Sequence, residues 1–142
     1  MTMGDNPAPG ATLPETVWVP SEVQLFRFSA ATLNPHRIHF DLPYAQQEGY
    51  EGVLVQSHLH ACVLGKVALD WAGENARITR IRWQNRRPAF VGDVLTCRGR
   101  VTEVDSSGGR LVVSCELEIR NQEGDLCTPG WITLATAERG DT

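Results

Sequence analysis

The chain has 142 residues, of which 42% are hydrophobic and 21% charged, and this composition suits one globular domain with its own core. The formal net charge of −4 argues against a protein that binds nucleic acid along its surface, because such proteins carry a basic face. The N-terminal residues lack the apolar stretch of a signal peptide, and no run is long enough to span a membrane. We therefore expect a cytoplasmic protein that binds neither nucleic acid nor a membrane.

The four cysteines give no sign of a metal site, because the sequence contains no CxxC pair and no other metal-ligand spacing. Cys97 and Cys115 fall on the apolar phases of strand-like runs and are expected to be small core residues. His58 and His60 are two residues apart in a predicted helix, so their side chains point in different directions. The sequence therefore predicts no bound metal and no cofactor.

The first part of the chain gives weaker structural signals than the rest. Residues 1–14 are polar and contain Pro and Gly, which predicts a disordered N-terminal tail, and residues 15–142 then form the folded domain. Residues 23–28 (VQLFRF) alternate weakly between apolar and polar and predict a strand. Residues 29–41 (SAATLNPHRIHFD) are rich in polar groups and break this pattern. Residues 43–48 predict one short helical turn, since proline suits the first helical position.

Residues 57–71 (SHLHACVLGKVALDW) give the strongest helix signal in the chain. Ser57 suits the N-cap position, and Gly73 suits the position that follows the last turn. The polar positions of this segment fall on an arc of about 120° around the helix axis, taking 100° per residue. Nearly all of its other positions are apolar. A helix of this kind is buried on most of its sides.

Four strand-like runs and two polar turns follow the helix. The runs lie at 78–85, 94–104, 110–120 and 131–137, and the turns at 105–109 and 121–125. One flat sheet cannot cover a helix that is apolar almost all round, so the sheet must curl around it. The sequence thus predicts an α+β protein with a single hot-dog fold, in which an antiparallel sheet wraps around one long central helix. A partly apolar sheet face also predicts a dimer.

Three segments carry a family resemblance: TLNPHRIHFD (residues 32–41, followed by PYA), GVLVQSHLH (52–60) and NRRPAFVGDVLTCRGRVTEV (85–104). They are similar to the hydratase motif, the central-helix start and the P-x-x-x-G-D-x-L strand entry of the MaoC-like hydratase/dehydratase family. The first segment most resembles the branch of hydroxyacyl-thioester dehydratases and mesaconyl-CoA-type hydratases. The resemblance implies a hot-dog enzyme, a hydro-lyase that adds water reversibly to a 2-enoyl thioester of CoA or of a carrier protein.

The resemblance also implies where the reaction takes place. The family's hydratase motif has an Asp, a His and a polar residue at the positions of Asn34, His39 and Asp41. His39 is the expected base, because an imidazole can accept and return a proton near neutral pH. Asn34 stands where the family has an acid, so it can orient the water but cannot carry its proton. His39 would work alone, with Asp41, or with a group from a partner chain.

The start of the central helix is the expected binding site of the thioester oxygen. Backbone N–H groups at Ser57 and His58 would hold this oxygen, and the helix dipole would favour its negative charge. The family has a His-Gly-Pro sequence here, whereas this chain has Gln56, Ser57 and His58. Gln56 is counted among the substrate-binding candidates for this reason.

Three arginines complete the predicted site. Arg86 and Arg87 precede the strand entry and suit the phosphates of CoA or of a carrier protein, because guanidinium groups bind phosphate through paired hydrogen bonds. Arg37 either contacts the substrate or forms an ion pair with Asp41 or Glu48.

Two other functions remain open from the sequence. The first is a non-catalytic or half-site subunit of a heteromeric hydratase, which the residues at Asn34 and Gln56 keep plausible. The second is a hot-dog acyl thioesterase, which usually needs a carboxylate on or before the central helix, where Glu48 and Glu51 lie nearby. In each case we expect a homodimer, or a heterodimer with another hot-dog chain.

Overall fold

Three α-helices separate the first strand from the other four. The computed structural model describes Met3 and residues 7–136. The elements of these residues are β1 (Thr12–Trp18), α1 (Glu22–Thr32), a 3₁₀ turn (Arg37–His39), α2 (Leu42–Gln47), α3 (Ser57–Ala72), β2 (Ala76–Trp83), β3 (Leu95–Asp105), β4 (Val112–Arg120) and β5 (Leu126–Thr136).

The strands form one antiparallel sheet in the order β1-β3-β4-β5-β2, which curls around α3. Alternate residues of β4 are buried, as the sequence pattern of this strand predicts. In β5, a Cβ atom at Gly130 would lie 2.6 Å from Leu64 Cδ1, so the absence of a side chain lets this strand approach the helix. The prediction of a hot-dog fold is confirmed.

Helix α3 is the central helix that the sequence predicts. Leu64 and Ala68 are fully buried, whereas Lys66 and Asp70 form an exposed ion pair of 2.6 Å. The helix ends before Gly73, whose φ of 92° lies in the left-handed region that favours glycine. The predicted N-cap is wrong by one residue: Gln56 has the extended backbone of the N-cap, and Ser57 is the first helical residue.

Residues 23–28 lie in a helix, so the prediction of a strand there is wrong. Ser21 begins α1 as its N-cap, with Oγ accepting the Gln24 N–H at 3.1 Å. Leu25 and Ser29, four residues apart, are buried, whereas Phe26 is 64% exposed. Six residues are too few to distinguish the period of a strand from that of a helix, and here the helical period decides burial.

Two boundaries differ most from those predicted. Residues 12–14 fall within the predicted tail but belong to β1, which pairs with β3 along the edge of the sheet. Strand β5 begins at Leu126, five residues before the predicted start, because Leu126 and Thr128 already pair with the end of β4. Residues 1, 2, 4–6 and 137–142 lie outside the described residues, so the predictions made for them stay predictions.

Three of the four cysteines lie in the core, among them the two that the sequence predicts there. Cys97 and Cys115 are 1% and 2% exposed, and burial raises the pKa values of their thiols to about 12 and about 11. Within residues 7–136, no helix is both long and apolar enough to cross a bilayer.

Candidate active site

A cleft of about 380 Å³ opens where the 3₁₀ turn, the start of α3 and the segment before β3 meet. Backbone hydrogen bonds join these parts: Val55 N–H donates to Ala89 O at 2.8 Å, and Leu54 N–H donates to Ile38 O at 2.9 Å. The lining residues come from all three parts: Asn34, Ile38, His39, Tyr50, Leu54, Val55, Ser57, His58, His60, Asn85, Arg86, Arg87, Pro88 and Ala89. None of these described lining residues is an Asp or a Glu.

His39 ends the 3₁₀ turn and is only 8% exposed. Its Nδ1 lies 2.8 Å from Leu54 O, and because a carbonyl oxygen only accepts, this contact assigns the hydrogen to Nδ1. Nε2 is therefore the nitrogen that can take a proton. Burial lowers the pKa of His39 below 6.5; the hydrogen bond to Leu54 opposes this shift, and the nearby His36 adds to it. At neutral pH the side chain is an uncharged base.

Asn34 is positioned by the end of α1. Leu33 has a φ of 54°, and this left-handed residue turns the chain so that the Asn34 N–H donates to Ser29 O at 2.9 Å. Asn34 Oδ1 accepts the His36 N–H at 3.3 Å, which forms the turn that leads into the 3₁₀ segment. The structure thus brings Asn34 and His39 to the same cleft, as the sequence predicts.

Asn34 also borders an apolar groove of about 420 Å³ on the outer side of α1. The large side chains of this groove are exposed: Leu33 to 88%, Phe26 to 64% and Phe40 to 50%. Contiguous exposed apolar surface of this kind is typical of a binding surface.

Asp41 and Arg37 do not line the cleft. Asp41 Oδ2 accepts from Arg37 Nη2 at 2.7 Å, and Oδ1 accepts the Tyr44 N–H at 3.2 Å, so Asp41 is the N-cap of α2. These two hydrogen bonds, the one from Arg37 first, lower the pKa of Asp41. The Arg37 guanidinium lies 4.4 Å from the Tyr44 ring centroid. Both residues hold the turn that carries His39. For Arg37 this is the ion pair that the sequence leaves open beside a substrate contact, and the catalytic role of Asp41 stays a prediction.

Ser57 and His58, the first two residues of α3, line the cleft. The N–H groups of Leu59 and His60 donate to Gln56 O at 3.1 and 3.3 Å. The N–H groups of Ser57 and His58 precede them, and donors at this position have no acceptor within their own helix. Two adjacent donors at the positive end of a buried helix are suited to a developing negative charge, so the predicted oxyanion role stays a prediction.

The Ser57 side chain fixes the helix start to the end of β2. Its Oγ accepts the Trp83 Nε1–H at 3.0 Å and lies 2.9 Å from Asn85 Nδ2. The exposed His58 ring packs edge-on against the Trp83 ring, with the centroids 5.3 Å apart. The donors of the first helical turn are therefore held in place from two sides.

Gln56 does not line the cleft, contrary to its predicted contact with substrate. It is 1% exposed, and its Nε2 donates to Leu25 O at 2.7 Å and to Ser29 Oγ at 2.9 Å. The residue ties α1 to the start of α3. Its Oε1 is buried without a hydrogen-bond partner among the described residues.

Arg86 and Arg87 lie at the exposed side of the cleft, as the sequence predicts. Their backbone N–H groups both donate to Cys127 O, at 2.8 and 3.3 Å. Arg87 forms an ion pair of 2.8 Å with Asp125, and Arg86 Nε donates to Gln84 Oε1 at 2.9 Å. The two arginines are consecutive residues, and these hydrogen bonds fix their backbone.

Sequence reasoning missed three polar residues of the cleft: Tyr50, Asn85 and His60. His60 is 3% exposed, and burial lowers its pKa to about 4. The signal for His60 was present, because it is the one polar residue that interrupts the apolar face of the predicted helix. No comparable signal marked Tyr50. Within the described residues, no group of three or more His, Cys, Asp or Glu side chains could hold a metal ion.

Comparison with known proteins identifies the family. The model of the family "hydroxyacyl-thioester dehydratase type 2" matches residues 5–91. The mesaconyl-C(4)-CoA hydratase of Chloroflexus aurantiacus is 55% identical over 51 residues, a match that covers 35% of this chain but only 18% of that protein. A UPF0336 protein of Thermobifida fusca is 28% identical over 123 residues, which is 80% of this chain and 79% of that protein.

Solved structures agree in fold. The ChsH1–ChsH2 complex of Mycobacterium tuberculosis has a chain that superposes with a TM-score of 0.83 at 23% identity, covering 92% of this chain and 98% of that one. The (R)-hydratase of A. caviae gives a TM-score of 0.83 at 19% identity with the same coverages. The HadBC (3R-hydroxyacyl-ACP dehydratase) complex of M. tuberculosis gives 0.78 at 21%, covering 89% and 96%. By the family match, the chain belongs to the hydroxyacyl-thioester dehydratase type 2 family, a family of hydro-lyases.

Proposed function

We propose that this chain adds water reversibly to a 2-enoyl thioester, and in the opposite direction dehydrates a 3-hydroxyacyl thioester. The thioester is carried by CoA or by a carrier protein. One observation carries the proposal: His39, with its hydrogen held at Nδ1 by Leu54 O, shares a cleft with Ser57 and His58, the first two residues of α3. This arrangement supplies a base and an oxyanion site, the two groups that the reaction needs.

The hydration begins with a water molecule between His39 and the substrate. Nε2 of His39 takes a proton from this water as the water oxygen bonds to the third acyl carbon. The electrons of the carbon–carbon double bond shift toward the thioester, whose oxygen becomes negative and accepts from the Ser57 and His58 N–H groups. The protonated imidazole then returns its proton to the second acyl carbon. Both the added hydrogen and the added hydroxyl come from one water.

Asn34 orients that water in the proposed reaction. An amide offers both a donor and an acceptor, but it does not ionise at neutral pH. One Oδ1 lone pair already accepts from His36 N–H, which limits the rotation of the amide. His39 therefore carries out both proton transfers, and Asn34 holds the attacking oxygen.

Arg86 and Arg87 are proposed to bind the phosphates of CoA or of a carrier protein. They lie on the exposed side of the cleft, where a long polar group can remain in solvent while the acyl chain is buried. Because Arg87 is already paired with Asp125, Arg86 is the stronger candidate of the two.

A second candidate function is a half-site subunit of a heteromeric hydratase. The observation that favours it is Asn34, since this amide lacks the proton-carrying group that an Asp would supply. Two structurally similar proteins, ChsH1–ChsH2 and HadBC, are named as two-component complexes. The exposed apolar groove of Phe26, Leu33 and Phe40 provides a surface that a second hot-dog chain, identical or different, can cover. A thioesterase receives no such support, because the described cleft lining contains no carboxylate.

The test is an assay of the purified chain with crotonyl-CoA and with a bulkier 2-enoyl-CoA. Loss of the ultraviolet band of the enoyl thioester without release of free thiol supports hydration. Release of free thiol at the same rate as loss of the band contradicts it and favours a thioesterase. If the chain is inert alone and becomes active only with a second hot-dog chain, the half-site function replaces the first proposal.

A further inference from the structure

His60 belongs to the cleft wall but has no part in the proposed reaction. It is the fourth residue of α3, and 97% of its surface is buried, as its relative exposure of 3% shows. Its ring packs edge-on against the Trp18 ring, with the centroids 5.8 Å apart. The side chain lines the cleft that also contains His39.

The imidazole of His60 has an unsatisfied nitrogen. Nδ1 is buried and has no hydrogen-bond partner among the described residues. Buried polar atoms are rarely left unpaired in native proteins, because the loss of hydration is not compensated. An apolar residue in the same place would avoid this cost. A group bound in the cleft that His60 borders is one way to supply the missing partner.

Burial also fixes the charge of this side chain. The lowered pKa of about 4 means that His60 is neutral at physiological pH. A neutral imidazole offers one donor and one acceptor, so it suits a hydroxyl or a carbonyl group. It does not suit a carboxylate, which would need a compensating positive charge at this depth.

We propose that His60 hydrogen-bonds to an uncharged polar group on the acyl chain of the substrate. The substrate class is then a thioester whose acyl chain carries a hydroxyl or keto group beyond the reacting carbons. This inference rests on the proposed function for the orientation of the thioester. Within that orientation the phosphates lie at exposed Arg86 and Arg87, the thioester oxygen lies at Ser57 and His58, and the buried His60 is left for the acyl chain.

A different explanation is an internal water. Gln56 Oε1 is also buried without a partner, and Gln56 lies one helical turn before His60. A single water that bridges these two atoms would satisfy both of them with no ligand involved. The two explanations differ in whether His60 affects the choice of ligand.

The experiment measures binding of saturated acyl-CoA thioesters by calorimetry. Each plain thioester is paired with the same thioester bearing a hydroxyl or keto group at the fourth, fifth or sixth carbon. We expect the wild-type chain to bind the substituted member of at least one pair about 10-fold more tightly or better, because the plain member leaves His60 unpaired. His60→Leu should remove this preference without weakening the plain thioester, and His60→Gln, which keeps a donor and an acceptor, should restore part of it.

Equal affinities within every pair for the wild-type chain would overturn the inference in favour of the bridging water. A preference that survives in His60→Leu would overturn it as well. If His60→Leu does not fold, the wild-type pairs and His60→Gln still decide the question. Saturated thioesters cannot be hydrated, so this result does not depend on catalysis. Failure to hydrate both crotonyl-CoA and the bulkier 2-enoyl-CoA would reject the proposed function separately.

Discussion

Two regions of the molecule each bring a buried histidine to one cleft, and the two imidazoles differ in what they contact. His39, at the end of the 3₁₀ turn, has its Nδ1 on Leu54 O, whereas Nδ1 of His60, in the first turn of α3, has no partner in the described part of the chain. Burial lowers both pKa values, but at His39 the hydrogen bond opposes the shift, and at His60 nothing does. The Leu54 carbonyl thus fixes the tautomer of His39, whereas no described hydrogen bond fixes that of His60.

Removal of His39 is expected to have the largest effect. In His39→Ala the base is lost, and kcat/KM for enoyl-CoA hydration should fall by at least about 100-fold, the usual contribution of a general base. In the wild-type chain, kcat/KM should fall as the pH drops through a pKa below 6.5 and stay level above it, because only the neutral imidazole accepts a proton. Steady-state rates over a range of pH measure both effects.

The matched control for this prediction is His36→Asn. His36 lies outside the cleft lining, and its ring accepts the Ile38 N–H as the cap of the 3₁₀ turn, a role that Asn can fulfil. Activity within about 3-fold of wild type is expected for this variant. Wild-type activity in His39→Ala would mean that the base lies elsewhere.

The second prediction concerns stability at acidic pH and tests the other histidine. His60 in the folded chain takes a proton only near pH 4, whereas in the unfolded chain it does so near 6.5. The unfolded state therefore binds more protons between these values, and the free energy of unfolding should fall as the pH drops. Relative to His60→Leu, the wild-type chain should lose about 2 kcal/mol between pH 7 and pH 4.5.

Urea denaturation of both chains at the two pH values gives the comparison. His39 is present in both, so its own contribution cancels. Parallel losses of stability in wild type and His60→Leu would show that His60 titrates normally in the folded chain.

The smallest effect is expected at Asp41, which the sequence motif places with the catalytic residues and the structure places at the N-cap of α2. Asp41→Ala should destabilise the chain by about 1 kcal/mol, the typical cost of a lost N-cap. The exposed ion pair with Arg37 adds little to this. The value of kcat/KM should change by less than about 5-fold, since the carboxylate does not reach the cleft. A loss approaching that of His39→Ala would return Asp41 to the catalytic machinery.

The parts of the fold with long, regular patterns could be predicted from the sequence. Helix α3 has sixteen residues and β4 nine, enough to show a period of 3.6 or of 2 clearly. Helix α1 could not be predicted in the same way, because its buried positions Leu25 and Ser29 include a polar residue. Ser29 is buried because it accepts from Gln56, a contact between residues 27 positions apart in the chain.

In the candidate site, too, features that are local in sequence could be predicted, and those that depend on distant contacts could not. The resemblance to the family's hydratase motif points to His39 and Asn34, and the structure places both in one cleft because the turn that carries them is local in sequence. The role of Gln56 depends on a helix that the sequence pattern did not reveal, and that of Asp41 depends on whether its carboxylate faces the cleft or the next helix. Side-chain direction at such positions is decided by tertiary packing, which no local pattern encodes.

The backbone contact between His39 and residue 54 has a consequence for how this protein tolerates mutation. Leu54 fixes His39 through its carbonyl oxygen, and its N–H donates to Ile38 O. Every amino acid has that carbonyl group, and all except proline have that N–H. The tautomer of the proposed base is therefore insensitive to the side chain at residue 54, which leaves that side chain free to diverge with the shape of the bound acyl group.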